Sequence, residues 1–325
     1  MPQRAACLLL LLASLVPAQD APAPAQGPPA QGPPAQEVAV GFVVNDALVK
    51  DQALAGVQVT AARAAGGHDG PQGTTDASGR VELRLAPGAW FVSYSLQGYV
   101  PLADTPLEVT GPGQVVTTSL IPALEGEGPG GGPVQRRVAL VLNWGSDQGS
   151  QVRDADSHLA LDNAHVYFGS RTPRDGLALD VDDTDWGGPE TITVLEPAQG
   201  RYVYWVHDWS DGPGKLGSSG VVVRLLVGDT LVGTWPAPAR ATSRVWRPFQ
   251  ALEVTSDGTV SVRDFTPEEL TAGQDLDVPG EVTAATGWSG SSDPSGGAVC
   301  CVLLGFPLAL GLAAALFRKA VAPRQ

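Results

Sequence analysis

Short runs of β-forming residues, each closed by a glycine, proline or aspartate turn, recur along most of this chain, and few stretches carry a helical apolar period. Val38, Val40, Phe42 and Val44 share one face of a first strand, and Val57-Gln58-Val59 sits in a second. Thr75-Asp76-Ala77-Ser78-Gly79-Arg80 is a turn in which the aspartate can bond forward amides and the glycine can take positive φ. It leads into residues 81–85, then Pro87-Gly88, then an aromatic strand from Trp90 to Leu96 and a Gly98-Tyr99 close. A second region opens at Arg136. There Val138, Leu140 and Leu142 alternate toward Trp144, and eight or more further strand candidates follow, ending with an Asp257-Gly258 hairpin into Val260-Ser261-Val262. With 40 Gly and 28 Pro against 43% apolar residues, this punctuation favours β-sandwiches or jelly rolls over an α/β enzyme fold.

The expected fold class is therefore all-β, with two β-sandwich domains over residues 37–123 and 136–265. The Gly/Pro/Glu segment 124–135 is a linker that lacks the apolar surface to order itself. In the first domain, the order strand, Asp-x-x-Gly turn, strand, Pro-Gly, aromatic strand, Gly-Tyr resembles the carboxypeptidase regulatory-like domain, a transthyretin-like sandwich. The resemblance implies a stabilising or spacing accessory module without catalytic residues. The loop over residues 64–72, with a solvated His68, is an insertion relative to that pattern.

In the second domain Trp144 precedes Asp154-Ala155-Asp156-Ser157-His158-Leu159, then Tyr167, then Leu179-Asp180-Val181-Asp182-Asp183-Thr184-Asp185 with Gly188-Pro189-Glu190, then Gly200-Arg201-Tyr202 running to Val206-His207. This series is similar to the YfaP-like bacterial family, secreted domains of unknown function. The resemblance implies a jelly-roll-like sandwich and export, and names no reaction.

The address is read from the two ends. Residues 1–18 read as a secretory signal, with Arg4 before an apolar stretch and a small-residue cleavage site at Val16-Pro17-Ala18. Residues 19–36 form a Pro/Gln/Gly-rich spacer in which Gln-Gly-Pro-Pro-Ala occurs twice. Residues 266–297 read as an acidic, Gly/Ser-rich stalk, and the uncharged segment 298–317 would span about 30 Å as a transmembrane helix. The basic tail 318–325 then lies inside. This expects a single-pass cell-membrane protein facing outward from a bacterial envelope, either anchored as it stands or processed at Gly296-Gly297 as a sorting signal. The cysteines, Cys7, Cys300 and Cys301, fall in the leader and the span, so the exported domains have no disulfide framework. A net charge of −14 argues against nucleic acid as a partner, because phosphates would be repelled. The membrane and an envelope polysaccharide or protein are the expected partners.

Four carboxylates within six residues, Asp180, Asp182, Asp183 and Asp185, need an offset for their repulsion. Solvent supplies one, in an acidic surface turn. Calcium supplies another, since it takes six to eight oxygen ligands, although no EF-hand spacing is present. Strand alternation places Asp154, Asp156 and His158 on a common face, so Asp154 and Asp156 join the candidate calcium ligands while His158 need not ligate. Trp186 and Trp209, in acidic or glycine-rich loops, are candidates for an exposed glycan platform. Alternation sends Tyr202, Tyr204 and Val206 to one face of their strand and Val203, Trp205 and His207 to the other, one of them expected in the core. The four histidines fit no zinc helix, and neither a nucleophile elbow nor a phosphate loop occurs. The expected function is a non-catalytic, membrane-anchored extracytoplasmic interaction module, calcium-stabilised or glycan-binding. The alternative is a secreted hydrolase, or an accessory subunit of one, working through an acid pair not marked in the sequence.

Overall fold

The computed structural model describes residues 36–124, 136–145, 152–210 and 214–288. The leader 1–18, nearly all of the spacer, the linker from 125, the end of the expected stalk (289–297), the expected span 298–317 and the tail 318–325 lie outside the described residues. Among the described residues no helix is long and apolar enough to cross a membrane. The described residues from Glu37 onward form one compact unit.

Its first sandwich sets β1 (Val38–Asp46) between β4 (Arg80–Leu85) and β7 (Gln114–Leu120) in a three-stranded sheet. The other sheet is ordered β3 (Gln72–Thr74), β2 (Gln58–Ala62), β5 (Gly88–Ser95), β6 (Leu102–Val109). Alternation fixes the inward face, and Val40, Phe42 and Val44 are buried with Val59, Leu83, Val92 and Tyr94. The turn before β4 is built by Asp76, whose Oδ1 accepts from the Ser78 and Arg80 amides at 2.8 and 3.0 Å. β1 and β7 run parallel, from Val40 beside Gln114 to Asp46 beside Leu120. His68 is exposed, as its loop composition implies.

The second sandwich opens on β8 (Arg137–Asn143), central in a sheet ordered β11 (Leu177–Val181), β12 (Glu190–Leu195), β8, β14 (Val222–Val227), β15 (Thr230–Pro236). The opposite sheet is ordered β10 (Ala164–Val166), β9 (Ala155–Leu161), β13 (Gly200–Asp208), β17 (Ala251–Val254), β18 (Val260–Arg263), with β16 (Val245–Trp246) also on β13. Every residue of β8 is buried. Val138, Leu140 and Leu142 point into the sandwich, while Ala139 and Val141 pack with Leu226 against Ala47, Val100 and Ile121 of the first sandwich. Burial on both sides explains why β8 reads as a continuous apolar run. At its end Asn143 Nδ2 donates to Ser119 Oγ at 2.9 Å, and the buried Arg224 donates to Asn143 Oδ1 at 3.3 Å.

This architecture meets one expectation and goes beyond it, and corrects another. Both faces of β13 are buried: Tyr202, Tyr204 and Val206 enter the sandwich core, and Val203 and Trp205 lie under a second layer outside it. That layer comes from the segment expected to be a stalk. From Thr266 to Trp288 the chain folds back through α1 (Pro267–Thr271) and α2 (Gly280–Thr286). α1 starts with a reciprocal Thr266/Glu269 capping box and Pro267 in its first turn. Val278, Val282 and Trp288 cover Ala160, Val203 and Trp205. Acidic residues in between find basic partners, Glu281 with Arg201 and the buried Asp275 with Arg240 at 2.6 Å. Three apolar side chains spread through a polar segment suffice to hold it once the facing sheet offers an apolar surface.

Candidate metal centre

Three strands bring carboxylates to one end of the second sandwich. Asp156 stands second in β9, with Asp154 just before the strand. β11 enters the acidic segment through a bulge: Leu179 pairs with Ile192 and Val181 with Thr191, so Asp180 is an extra residue that re-aims the side chains after it. β12 begins at Glu190, paired with Leu142. The approach to Glu190 requires glycine at position 188, where φ is +69° and a Cβ would stand 2.7 Å from the Trp144 ring.

One carboxylate oxygen each from Asp156, Asp182 and Glu190 lies within 4.8 Å of the others. Glu190 is 0% and Asp156 4% exposed. Glu190 Oε2 accepts from the Ser157 amide, and Ser157 Oγ is 2.9 Å from the Tyr204 hydroxyl. Glu190 Oε1, Asp156 Oδ2, Asp182 Oδ1 and Asp154 Oδ1 are buried without a hydrogen-bond partner. Leaving a buried acceptor unmade costs about 1–3 kcal/mol, and two unit charges at this separation repel by roughly 3 kcal/mol at an effective dielectric of 20. The titration behaviour records that tension. Burial, then the charges of Asp182 and Asp208, pushes Asp156 up to about 8. Burial, then Asp156, pushes Asp154 up to about 7 and holds Glu190 well above the carboxylate range. Protons or a cation would relieve this repulsion, and a dication would do so at neutral pH without protonation. Calcium ligands sit at about 2.4 Å, so oxygens that lie within 4.8 Å of one another are close enough to share one ion.

Of the six aspartates singled out by sequence, Asp156 and Asp182 come together, and Asp154 lies near enough for their charges to raise it. Asp180, Asp183 and Asp185 do not, a correction with a local cause: the bulge and the turn after it aim them elsewhere. Asp180 interacts with Thr193, Arg137 and Arg171, although its Oδ2 is also buried without a hydrogen-bond partner. Asp183 Oδ1 accepts from the Asp185 amide at 3.1 Å and faces Lys50 Nζ at 3.7 Å, while Asp185 pairs with Arg153 at 3.1 Å on the surface. Asp182 itself has one oxygen 3.7 Å from Arg171 and the other free for the cluster. Glu190 is the member of the carboxylate cluster that sequence reasoning misses. Its signal is its position at a strand start, immediately after Gly-Gly-Pro in the same acidic run. Asp208 lies close enough to raise Asp156, but its own oxygens accept from the Ser210 and Lys215 amides, each at 3.0 Å. Trp186 and Trp209 are exposed, 38% and 53%, and Trp209 lies 5.6 Å from the exposed ring of Phe168.

No family model matches the chain. Among solved structures it is similar to a protein of unknown function, at 20% identity over 40% of this chain and 88% of that one, with a TM-score of 0.34. It is similar to a homologue of the telluride resistance protein TerD from Streptomyces coelicolor A3(2), at 17% identity over 45% and 99% of the two chains, TM-score 0.34. It is also similar to the major pilin subunit of Bacillus cereus, at 11% identity over 71% and 93%, TM-score 0.23.

Proposed function

We propose that this chain is a non-catalytic, membrane-anchored extracytoplasmic interaction module whose second sandwich is locked by a calcium ion held by Asp154, Asp156, Asp182 and Glu190. The observation that carries the reading is the set of buried carboxylate oxygens without partners at one end of that sandwich. Burial of Glu190 and Asp156 also speaks against the hydrolase alternative, because a catalytic acid pair must admit a glycosidic bond between its members. The first sandwich is assigned as transthyretin-like and the second as jelly-roll-like, in keeping with the carboxypeptidase regulatory-like and YfaP-like resemblances. Trp209, Phe168 and Trp186 are the surface offered to an envelope polysaccharide or protein.

Thermal melting of the purified chain tests the ion: excess calcium raises the Tm over the chelated sample, by about 2.7 kcal/mol of stability at one hundred times Kd. Identical melting with calcium and with chelator overturns it. Cell fractionation tests the address, and recovery of a soluble cytosolic chain with its leader intact rejects the anchored reading. Binding of the protein to an envelope-glycan array, lost in Trp209→Ala, separates a ligand-binding module from a passive spacer.

A further inference from the structure

A second convergence lies beside the carboxylates, on the outer face of β9 and β13. His207 stands opposite Asp156 across the strand pair, and His158 lies two residues further along β9, on the same face. Asp156, His158 and His207 are 4%, 0% and 3% exposed. One ligand atom from each lies within 4.8 Å of the other two. Three of their atoms are buried without a hydrogen-bond partner, Asp156 Oδ2, His158 Nε2 and His207 Nδ1, and His207 Nδ1 is 3.8 Å from Asp156 Oδ2. The other nitrogen of His158 is already held, 3.0 Å from His165 Nε2, which orients the ring and leaves Nε2 for a ligand. Aromatic rings enclose the group: Trp205 stacks on His158 at 4.9 Å, and Trp288 lies 5.5 and 5.6 Å from His158 and His207.

From these contacts we propose that Asp156, His158 and His207 form a binding site for a first-row divalent transition cation of the zinc type. Two imidazoles and one carboxylate suit a borderline ion, whereas calcium takes oxygen ligands alone. Three protein ligands also match the number that zinc takes when its fourth position is left to water or to a further group. Asp156 is common to this site and to the calcium cluster. His158 and His207 belong to this site only, and Asp182 and Glu190 to the other, so the two proposals are separable.

The test uses the full-length chain, stripped with chelator, dialysed, and titrated with cobalt(II) and then with zinc. One equivalent of cobalt is expected to give visible d–d absorption and to quench tryptophan fluorescence, because Trp205 and Trp288 adjoin the ligands; zinc then abolishes the absorption. His158→Gln and His207→Gln are each expected to lower zinc affinity at least about ten-fold while leaving the calcium-dependent rise in Tm. Glu190→Gln is expected to do the reverse. Where a histidine variant fails to fold, X-ray absorption on the wild-type zinc complex decides, with two imidazole nitrogens expected. A metal shell without imidazole, or wild-type protein that takes up neither cobalt nor zinc, overturns the site whatever calcium does.

Discussion

Glu190 concentrates the energetic problem of the molecule into one side chain. It is fully buried, it accepts one amide hydrogen bond, and its second oxygen faces other carboxylates. Glu190→Gln keeps the shape and the acceptor for the Ser157 amide while removing a charge. In chelator at pH 7.5 this variant is expected to be more stable than wild type by roughly 1–2 kcal/mol, as read by urea denaturation, and to lose the calcium response. A variant destabilised in chelator, with calcium binding intact, contradicts the role given to Glu190. The same carboxylates give stability a pH dependence of definite sign. In the calcium-free protein Asp154 and Asp156 hold their protons up to about 7 and 8, whereas an unfolded aspartate releases its proton near 3.9. The folded state then binds more protons than the unfolded one, so stability falls as pH rises toward 8. Burial lowers His207 to about 4, which acts in the opposite sense below about 6.5, leaving pH 6.5 to 8 as the clean window. The Tm of chelated protein is expected to drop across that window and to stay level with saturating calcium; a level Tm in chelator would remove the electrostatic argument. At this scale the sequence shows the aspartates but not which of them converge, since alternation along β11 is broken at Asp180 by a bulge that no local residue type announces.

Most strands are legible in the sequence because a half-buried sheet needs every second residue apolar, as Val40, Phe42 and Val44 show. The return of residues 266–288 onto the sheet is not legible. Its apolar members are few, and their partners Ala160, Val203 and Trp205 come from strands far away in sequence. Val282→Asp places an unpaired charge against that surface and is expected to free α2 at a cost of roughly 3 kcal/mol. Hydrogen exchange should then accelerate at Gly280–Thr286 and leave the first sandwich unchanged; unchanged protection of α2 argues against the packing role. Gly188→Ala acts on the other end of the sandwich. With positive φ and the Trp144 ring 2.7 Å from the added carbon, it is expected to cost roughly 2–3 kcal/mol and to weaken calcium binding by moving Glu190. Chemical denaturation and calcium titration of the same sample check both effects.

Across the whole molecule the two sandwiches are joined by more than the chain that connects them. Ala47, Val100 and Ile121 close on Ala139, Val141 and Leu226, and Asn143 and Ser119 are hydrogen-bonded beside that patch. Lys50 of the first sandwich also reaches the acidic segment of the second, donating to the Asp182 carbonyl at 3.0 Å. One cooperative melting transition is expected for wild type, and two for Val141→Asp, which puts a charge into the shared apolar contact; a single unshifted transition in the variant would mean that the halves unfold independently of this contact. The parallel pairing of β1 with β7 bears on what happens when this protein is pulled. Chain enters the first sandwich at the start of β1 and leaves at the end of β7, at opposite ends of two adjacent strands that point the same way. Tension between those points slides one strand past the other, so the rungs from Val40 to Asp46 share the load and must break together, whereas a hairpin would open one rung at a time. A sandwich built this way resists stretching far better than its modest size suggests.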